Sequence, residues 1–128
     1  MNLTDARIVL TGAAGGIGSA TAAWLANAGA KLVLADLKQQ AIDEVAERIG
    51  ADHVVAAVAA DVTIEGGRSA LVAAARKHDV NVLINAAGVN PFGLLTEQTT
   101  VEIARAFTIN ASAPLLLCHA FLPVLLER

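Results

Sequence analysis

Four short apolar runs alternate along the chain with longer segments in which apolar and polar residues recur at helical spacing. The runs are RIVLT (7–11), KLVLAD (31–36), HVVAAVAAD (53–61) and VNVLIN (80–85). Each is continuous rather than alternating, which is typical of parallel strands that helices cover on both faces. The pattern therefore predicts four buried β-strands.

The segments between and after these runs predict four helices, at 16–28, 38–49, 64–78 and about 99–126. The second has its apolar side chains on one face and stops at Gly50, a natural end for a helix. Gly66 and Gly67 weaken the first turn of the third helix. Pro114 should bend the last helix, because proline removes a backbone donor and collides with the preceding turn.

Strands and helices thus alternate as βαβαβαβα, which indicates one α/β domain over residues 1–128. Right-handed crossovers turn this order into a doubly wound parallel sheet with helices on both faces. The usual winding gives the strand order 3-2-1-4. Ligands of such sheets bind beyond the carboxyl ends of the strands, at the switch point between strands 1 and 4.

Composition narrows the classes of protein that fit. Hydrophobic residues make up 55% of the chain and charged residues 16%, which excludes a disordered protein. The net charge of −3 and the lack of a long basic run argue against a nucleic-acid partner, and the histidines show no metal-ligand spacing. The apolar stretch 111–126 is short for a membrane span. One cysteine permits no internal disulfide, so we expect a soluble cytoplasmic protein.

The stretch LTGAAGGIGSATAAWL, residues 10–25, places glycines between strand 1 and helix 1. Gly12 allows a sharp turn, while Gly16 and Gly18 leave room for a pyrophosphate and for close packing of the helix. The amino end of that helix attracts phosphate. We therefore expect a Rossmann-type site in which valine at Gly16 or Gly18 blocks the ligand while the fold survives. An ordinary tight turn is the alternative.

Two carboxylates follow later strands. Asp36 ends strand 2, where it can accept hydrogen bonds from the adenosine ribose and repel a 2′-phosphate. Asp61 ends strand 3, where it can meet the adenine amino group. The alternative for each is a cap on the following helix. Trp24 and Cys118 are expected to be packing residues of the core.

With these features the chain resembles the short-chain dehydrogenase/reductase family, over its amino-terminal, dinucleotide-binding half. The glycines follow that family's TGxxxGxG spacing, beginning at Thr11. ADL around Asp36, DVT at 61–63 and NAAG at 85–88 match further family motifs, although Ala86 replaces the second asparagine of NNAG. FTINASAPLLLCHAFLPVLL resembles the segment that places an asparagine, here Asn110, beneath the active site.

The resemblance implies hydride transfer between a nicotinamide dinucleotide and an alcohol or carbonyl substrate. NAD is implied over NADP, because Asp36 lacks a basic neighbour in the glycine loop or at Leu37. Lys38 is expected to be a solvated lysine in the first turn of the helix at 38–49. The implied cofactor-binding residues are Gly12, Gly16, Ile17, Gly18, Asp36, Leu37, Asp61, Val62, Asn85, Ala86, Ala87 and Gly88.

The family's catalytic serine, tyrosine and lysine have no counterpart here, and the chain contains no tyrosine. Of the four catalytic positions only Asn110 is matched, and its alternative is a polar group satisfied within its own helix. The sheet therefore looks truncated after the fourth helix. Two hypotheses remain: the NAD-binding portion of a longer dehydrogenase, inactive alone, or a non-catalytic dinucleotide-binding or interaction module.

Strand 4 presents an apolar edge without a lysine or proline to protect it. The leucine-rich last helix carries more apolar surface than one sheet face can cover. In the family the fourth helix also packs against another subunit. We therefore expect a homo-oligomer, or a partner that supplies the missing half.

Overall fold

A computed structural model describes residues 2–127 and shows one parallel sheet in the order β3-β2-β1-β4. Its strands are β1 (Arg7–Thr11), β2 (Lys31–Asp36), β3 (Val54–Ala59) and β4 (Val82–Asn85). The predicted strand order is confirmed. The central β1 pairs on both sides, with Ile8 opposite Leu32 of β2 and Val82 of β4. All four carboxyl ends consequently lie along the same edge.

The helices follow the predicted positions, except that the last one is interrupted. They are α1 (Gly16–Asn27), α2 (Gln39–Ile49), α3 (Glu65–Lys77), α4 (Thr100–Phe107) and α5 (Ala113–Leu126). A π-helical turn, Thr108–Ser112, joins α4 to α5. Pro114 is in the first turn of α5, and the carbonyl four positions before it, that of Asn110, lies within this π-helical turn. The interruption therefore falls where the proline was expected to bend the helix.

Helices cover both faces of the sheet. Ile8 and Leu10 of β1 point to one face and pack with α1 and α2 residues such as Leu25 and Ile42. Val9, between them in sequence, points to the other face. There the core residues include Val33, Leu71, Leu117, Phe121 and Val124. This division explains why the strands are apolar at consecutive positions.

Two residues expected in the core lie at the surface. Trp24 is 64% exposed on the outer side of α1, and Cys118 is exposed on α5. The α1 sequence, GIGSATAAWLAN, contains no charged residue, so its periodicity does not mark a buried face. The smaller Ala22 and Ala26 face the sheet together with Leu25. Small side chains let α1 approach the strands closely and leave the indole outside.

Two glycines allow helices to approach the strand ends. A Cβ added to Gly18 would lie 1.9 Å from the Gly12 carbonyl oxygen, and one added to Gly67 would lie 1.9 Å from the Asp61 carbonyl oxygen. Each glycine is the third residue of its helix, six positions after the carbonyl that it contacts. The expectation that the fold survives valine at Gly18 is therefore wrong, because a side chain there collides with backbone.

The last helix presents a second apolar surface. From Thr100 to Leu126 it is long and apolar enough to cross a membrane by length and composition, and 22% of its most apolar window is buried. A core helix of a soluble protein meets the same criterion. On α5, Leu117 and Phe121 pack on the sheet, while Leu115 and Leu122 are 72% and 54% exposed. An outward apolar stripe therefore remains on α5.

We predict opposite effects from alanine at two adjacent glycines of α3. Gly67→Ala should lower the free energy of unfolding by about 1–3 kcal/mol, because its Cβ must displace the Asp61 backbone. Gly66→Ala should raise it by about 0.5–1 kcal/mol, since no atom lies within 4 Å of its Cβ and alanine favours helix. Urea denaturation of both variants is the measurement. Equal changes in the free energy of unfolding for the two variants would contradict the close approach of Gly67 to the Asp61 backbone.

Candidate functional site

A cleft of about 780 Å³ opens along the carboxyl edge of the sheet, within the roughly 300–1,000 Å³ typical of small-molecule sites. Segments that follow all four strands border it, and α4 adds a further wall. Its lining includes Gly12, Ala14, Gly15, Asp36, Leu37, Lys38, Asp61, Val62, Ala86, Ala87, Gly88, Val89, Val101, Ala104, Arg105, Thr108 and Ile109. The structure thus gathers most of the predicted site residues around a single space.

The turn after β1 is fixed by the loop after β4. Gly12 has φ +67°, and a Cβ there would lie 2.7 Å from the carbonyl of Ala86. Buried Thr11 holds the two loops together, because its Oγ1 accepts hydrogen bonds from the N–H groups of Ala86 and Ala87, both at 3.2 Å. The backbone of Ala86 thus has a structural partner although its side chain is only a methyl group.

The amino end of α1 meets the cleft without a side-chain cap. Gly15 is the N-cap residue, and its N–H donates to the Gly12 carbonyl at 3.0 Å. Gly16 has nothing within 4 Å of an added Cβ, and Ile17 is 81% exposed. Gly16, Ile17 and Gly18 are not among the residues that line the cleft, whereas Gly15 is. The exposed N–H groups and the helix dipole favour an anion at this position.

Asp36 bridges the glycine loop and the end of β2. Its Oδ2 accepts a hydrogen bond from the Ala14 N–H at 2.9 Å, and its Oδ1 accepts one from the Leu37 N–H at 2.7 Å. The N-cap residue of α2 is Lys38, so Asp36 does not cap that helix. Each carboxylate oxygen can accept more than one hydrogen bond, and Asp36 therefore retains capacity for a ligand.

Asp61 forms a local turn at the end of β3. Its Oδ1 accepts hydrogen bonds from the Thr63 hydroxyl at 2.6 Å and from the Thr63 N–H at 2.9 Å. These two bonds lower the pKa of Asp61 below its ordinary value, the hydroxyl contributing most. Ile64 is the N-cap residue of α3. The nearby Val62 carbonyl accepts from Arg68 at 3.0 Å, so both residues already have structural partners.

Asn110 reaches across to the loop after β4. Its Nδ2 donates to the Val89 carbonyl at 2.7 Å, and its Oδ1 accepts from the Val89 N–H at 2.8 Å. This pair of bonds spans 21 positions of sequence, so the side chain is not satisfied within its own helix. Asn85 instead donates to Cys118 Sγ at 3.4 Å and does not line the cleft, contrary to expectation.

One wall of the cleft is formed by α4, whose residues were not among the predicted site residues. Val101, Ala104, Arg105 and Thr108 line it at the spacing of a single helical face. The N-terminus of α4 is fixed by a capping box between Thr99 and Glu102. In the sequence, two features could have indicated this wall: the capping-box residues Thr99 and Glu102, and the helical spacing of residues 101, 104, 105 and 108. The wall itself arises because the helix from 100 to 126 is longer than the strands and extends past their carboxyl ends.

A family model described as short chain dehydrogenase matches residues 6–128. The 1-deoxy-11-beta-hydroxypentalenate dehydrogenase of Streptomyces arenae is 42% identical over 125 residues, which are 94% of this chain and 44% of that protein.

Two solved structures from Brucella melitensis are also similar. A short-chain dehydrogenase/reductase described as a glucose/ribitol dehydrogenase has a TM-score of 0.87 and 32% identity, covering 94% of this chain and 52% of that one. A 3-ketoacyl-(acyl-carrier-protein) reductase complexed with NADH has a TM-score of 0.84 and 30% identity, covering 94% and 50%. The chain thus spans about half the length of the proteins it matches.

We predict that Thr63→Val raises the pKa of Asp61 toward its ordinary value, because the hydroxyl is the main cause of the lowering. A carboxylate whose pKa is lowered by folding stabilises the fold above its unfolded pKa and loses this effect as pH falls through the folded value. The variant should therefore be less stable than wild type at neutral pH, with a smaller difference below about pH 4. NMR titration of the Asp61 carboxyl carbon measures the pKa. Thr96→Val, at an exposed threonine, is the control.

Proposed function

The chain belongs to the short-chain dehydrogenase family, and on this premise we propose that residues 1–128 form the NAD-binding half of an oxidoreductase. The complete enzyme would transfer hydride between NAD(H) and an alcohol or carbonyl substrate. The observation that supports this most directly is the position of Asp36, which borders the same cleft as the glycine loop and the amino end of α1. The NADH complex of the similar reductase agrees with it.

The cleft residues fit the parts of a nicotinamide dinucleotide. The uncapped end of α1, with open space at Gly16, suits the pyrophosphate. Asp36 suits the adenosine ribose, while Asp61 and Val62 suit the adenine. The loop from Ala86 to Gly88 suits the ribose of the nicotinamide. When bound, such a cofactor would supply or accept the hydride.

Charge favours NAD over NADP. Two backbone N–H groups fix the Asp36 carboxylate at the end of β2, where it would oppose a 2′-phosphate. The glycine loop offers only Ala13 and Ala14 between its first glycines. Lys38 also borders the cleft, but it lies beyond Asp36 at the start of α2.

Asn110 is proposed as a positioning residue. Its two bonds to Val89 fix the loop that would face the nicotinamide, and the π-helical turn around it directs the side chain there. Proton transfer to a carbonyl oxygen needs a general acid, and the family's tyrosine is not present in this chain. We infer that residues 1–128 alone bind the cofactor without catalysing hydride transfer.

The outward stripe of α5 supports a proposal about assembly. Leu115, Leu122 and Leu126 are each more than half exposed, and the edge of β4 away from β1 has no strand partner among the described residues. Apolar surfaces of this kind mark interfaces. We propose a homo-oligomer built through α5. We also propose that the protein is cytoplasmic, because its one cysteine is free.

We predict that the chain binds NADH more tightly than NADPH, by about 5- to 150-fold, which corresponds to roughly 1–3 kcal/mol of repulsion. Asp36→Asn should narrow this gap, because the amide can still accept from Ala14 but carries no charge. Competitive calorimetry measures both affinities. Because we infer that the chain does not catalyse hydride transfer, adding carbonyl compounds should not cause oxidation of the NADH. Equal or tighter NADPH binding by the wild type would contradict the preference.

We also predict that the wild-type chain sediments as a dimer or larger species at micromolar concentration. Leu122→Glu should shift it toward monomer, because a carboxylate within an apolar interface loses its hydration. Trp24→Glu is the matched control, since Trp24 is similarly exposed but lies on the opposite layer. A wild-type monomer, or an equal shift in the control, would contradict an interface on α5.

A further inference from the structure

Two charged side chains of the cleft, Lys38 and Arg105, have no task in the proposed function, and of the two only Arg105 lies on the wall formed by α4. Arg105 lines the cleft from α4, and it is exposed. By contrast, Arg48 donates to the Glu44 carbonyl, Arg68 to the Val62 carbonyl and Arg76 to the Glu127 carboxylate. Within residues 2–127, no hydrogen bond or ion pair holds the Arg105 guanidinium.

Neither carboxylate of the cleft neutralises Arg105. Asp36 accepts from the N–H groups of Ala14 and Leu37, and Asp61 accepts from Thr63. Both carboxylates thus bond to their own loops, and neither forms an ion pair with Arg105 within residues 2–127. The guanidinium remains available to a ligand, in a site where the other side chains of α4 are apolar or small.

The wall that bears Arg105 is fixed at both ends. The capping box at Thr99 and Glu102 sets the start of α4, and Asn110 fastens the far end to Val89. Arg105 lies five residues before Asn110, which is about 7.5 Å along a helix axis. It is therefore displaced along the wall from the loop that would face the nicotinamide.

Apolar side chains border the same cleft at the β2 and β3 ends. Leu37 follows β2 and Val62 follows β3, and both line the space that Arg105 lines from α4. A flat ring suits this combination, because aliphatic side chains can cover one face and a planar guanidinium stacks on the other. A phosphate suits it less, since the amino end of α1 already provides an anion site at Gly15.

Resting on the proposed function, we propose that the guanidinium of Arg105 covers the adenine ring of the bound dinucleotide, opposite Leu37 and Val62. Arg105 is then a cofactor-binding residue contributed by α4, in addition to those that follow the strands. Its contribution comes from stacking and from attraction between the cation and the π-face, so it acts on the nucleobase and not on the phosphates.

The test is calorimetric binding of NADH, adenosine, AMP and reduced nicotinamide mononucleotide to the wild type and to Arg105→Ala, Arg105→Lys and Arg48→Ala. Arg48→Ala removes the same charge outside the cleft and should change nothing. Arg105→Ala should weaken NADH, AMP and adenosine alike, by about 5- to 30-fold, and should leave the mononucleotide unchanged. Arg105→Lys should be intermediate, because it keeps the charge without the planar group.

The outcomes separate this inference from the function on which it rests. Failure of the wild type to bind NADH overturns the proposed function and the adenine contact with it. If the wild type binds NADH and the Arg105→Ala variant binds it with the same affinity, only the adenine contact is overturned. A loss for AMP but not for adenosine would show a phosphate contact and would also overturn it. Circular dichroism of each variant checks that the overall helix content is retained.

Discussion

The carbonyl oxygen of Gly12 is the point on which the architecture of the cleft depends. Gly18 of α1 packs against it so closely that no Cβ fits, and the loop after β4 passes over the other side of Gly12. Thr11 then fastens that loop through its hydroxyl. Three segments far apart in sequence thus meet within a few ångströms, and the amino end of α1 is brought to the carboxyl edge of the sheet. Without that approach, neither the anion site nor the position of Asp36 against Ala14 would form.

A second constraint is the length of the last helix. Its α5 part matches the sheet and packs on it, while α4 extends past the strand ends and becomes a wall. The π-helical turn lies between the two parts, and Asn110 on this turn fastens the wall to Val89. A side chain that looks catalytic by resemblance therefore has a clear structural task in this half of the protein.

The same helix explains why the chain exposes so much apolar surface. One side of α5 contributes Leu117 and Phe121 to the core, and the opposite side is also leucine-rich. The relatives are about twice as long as the part that matches.

Much of this could be read from the sequence, because continuous apolar runs and helical spacing report burial by neighbouring elements. They predicted the four strands, the usual winding of such sheets predicted the order 3-2-1-4, and the glycine spacing and Asp36 predicted a site at the carboxyl edge. Only the tertiary structure decided that Asn85 turns toward Cys118, that Gly18 is needed for packing, and that α4 brings Arg105 to the cleft. The physical reason is that these contacts join residues distant along the chain, where local periodicity carries no information about which atoms meet.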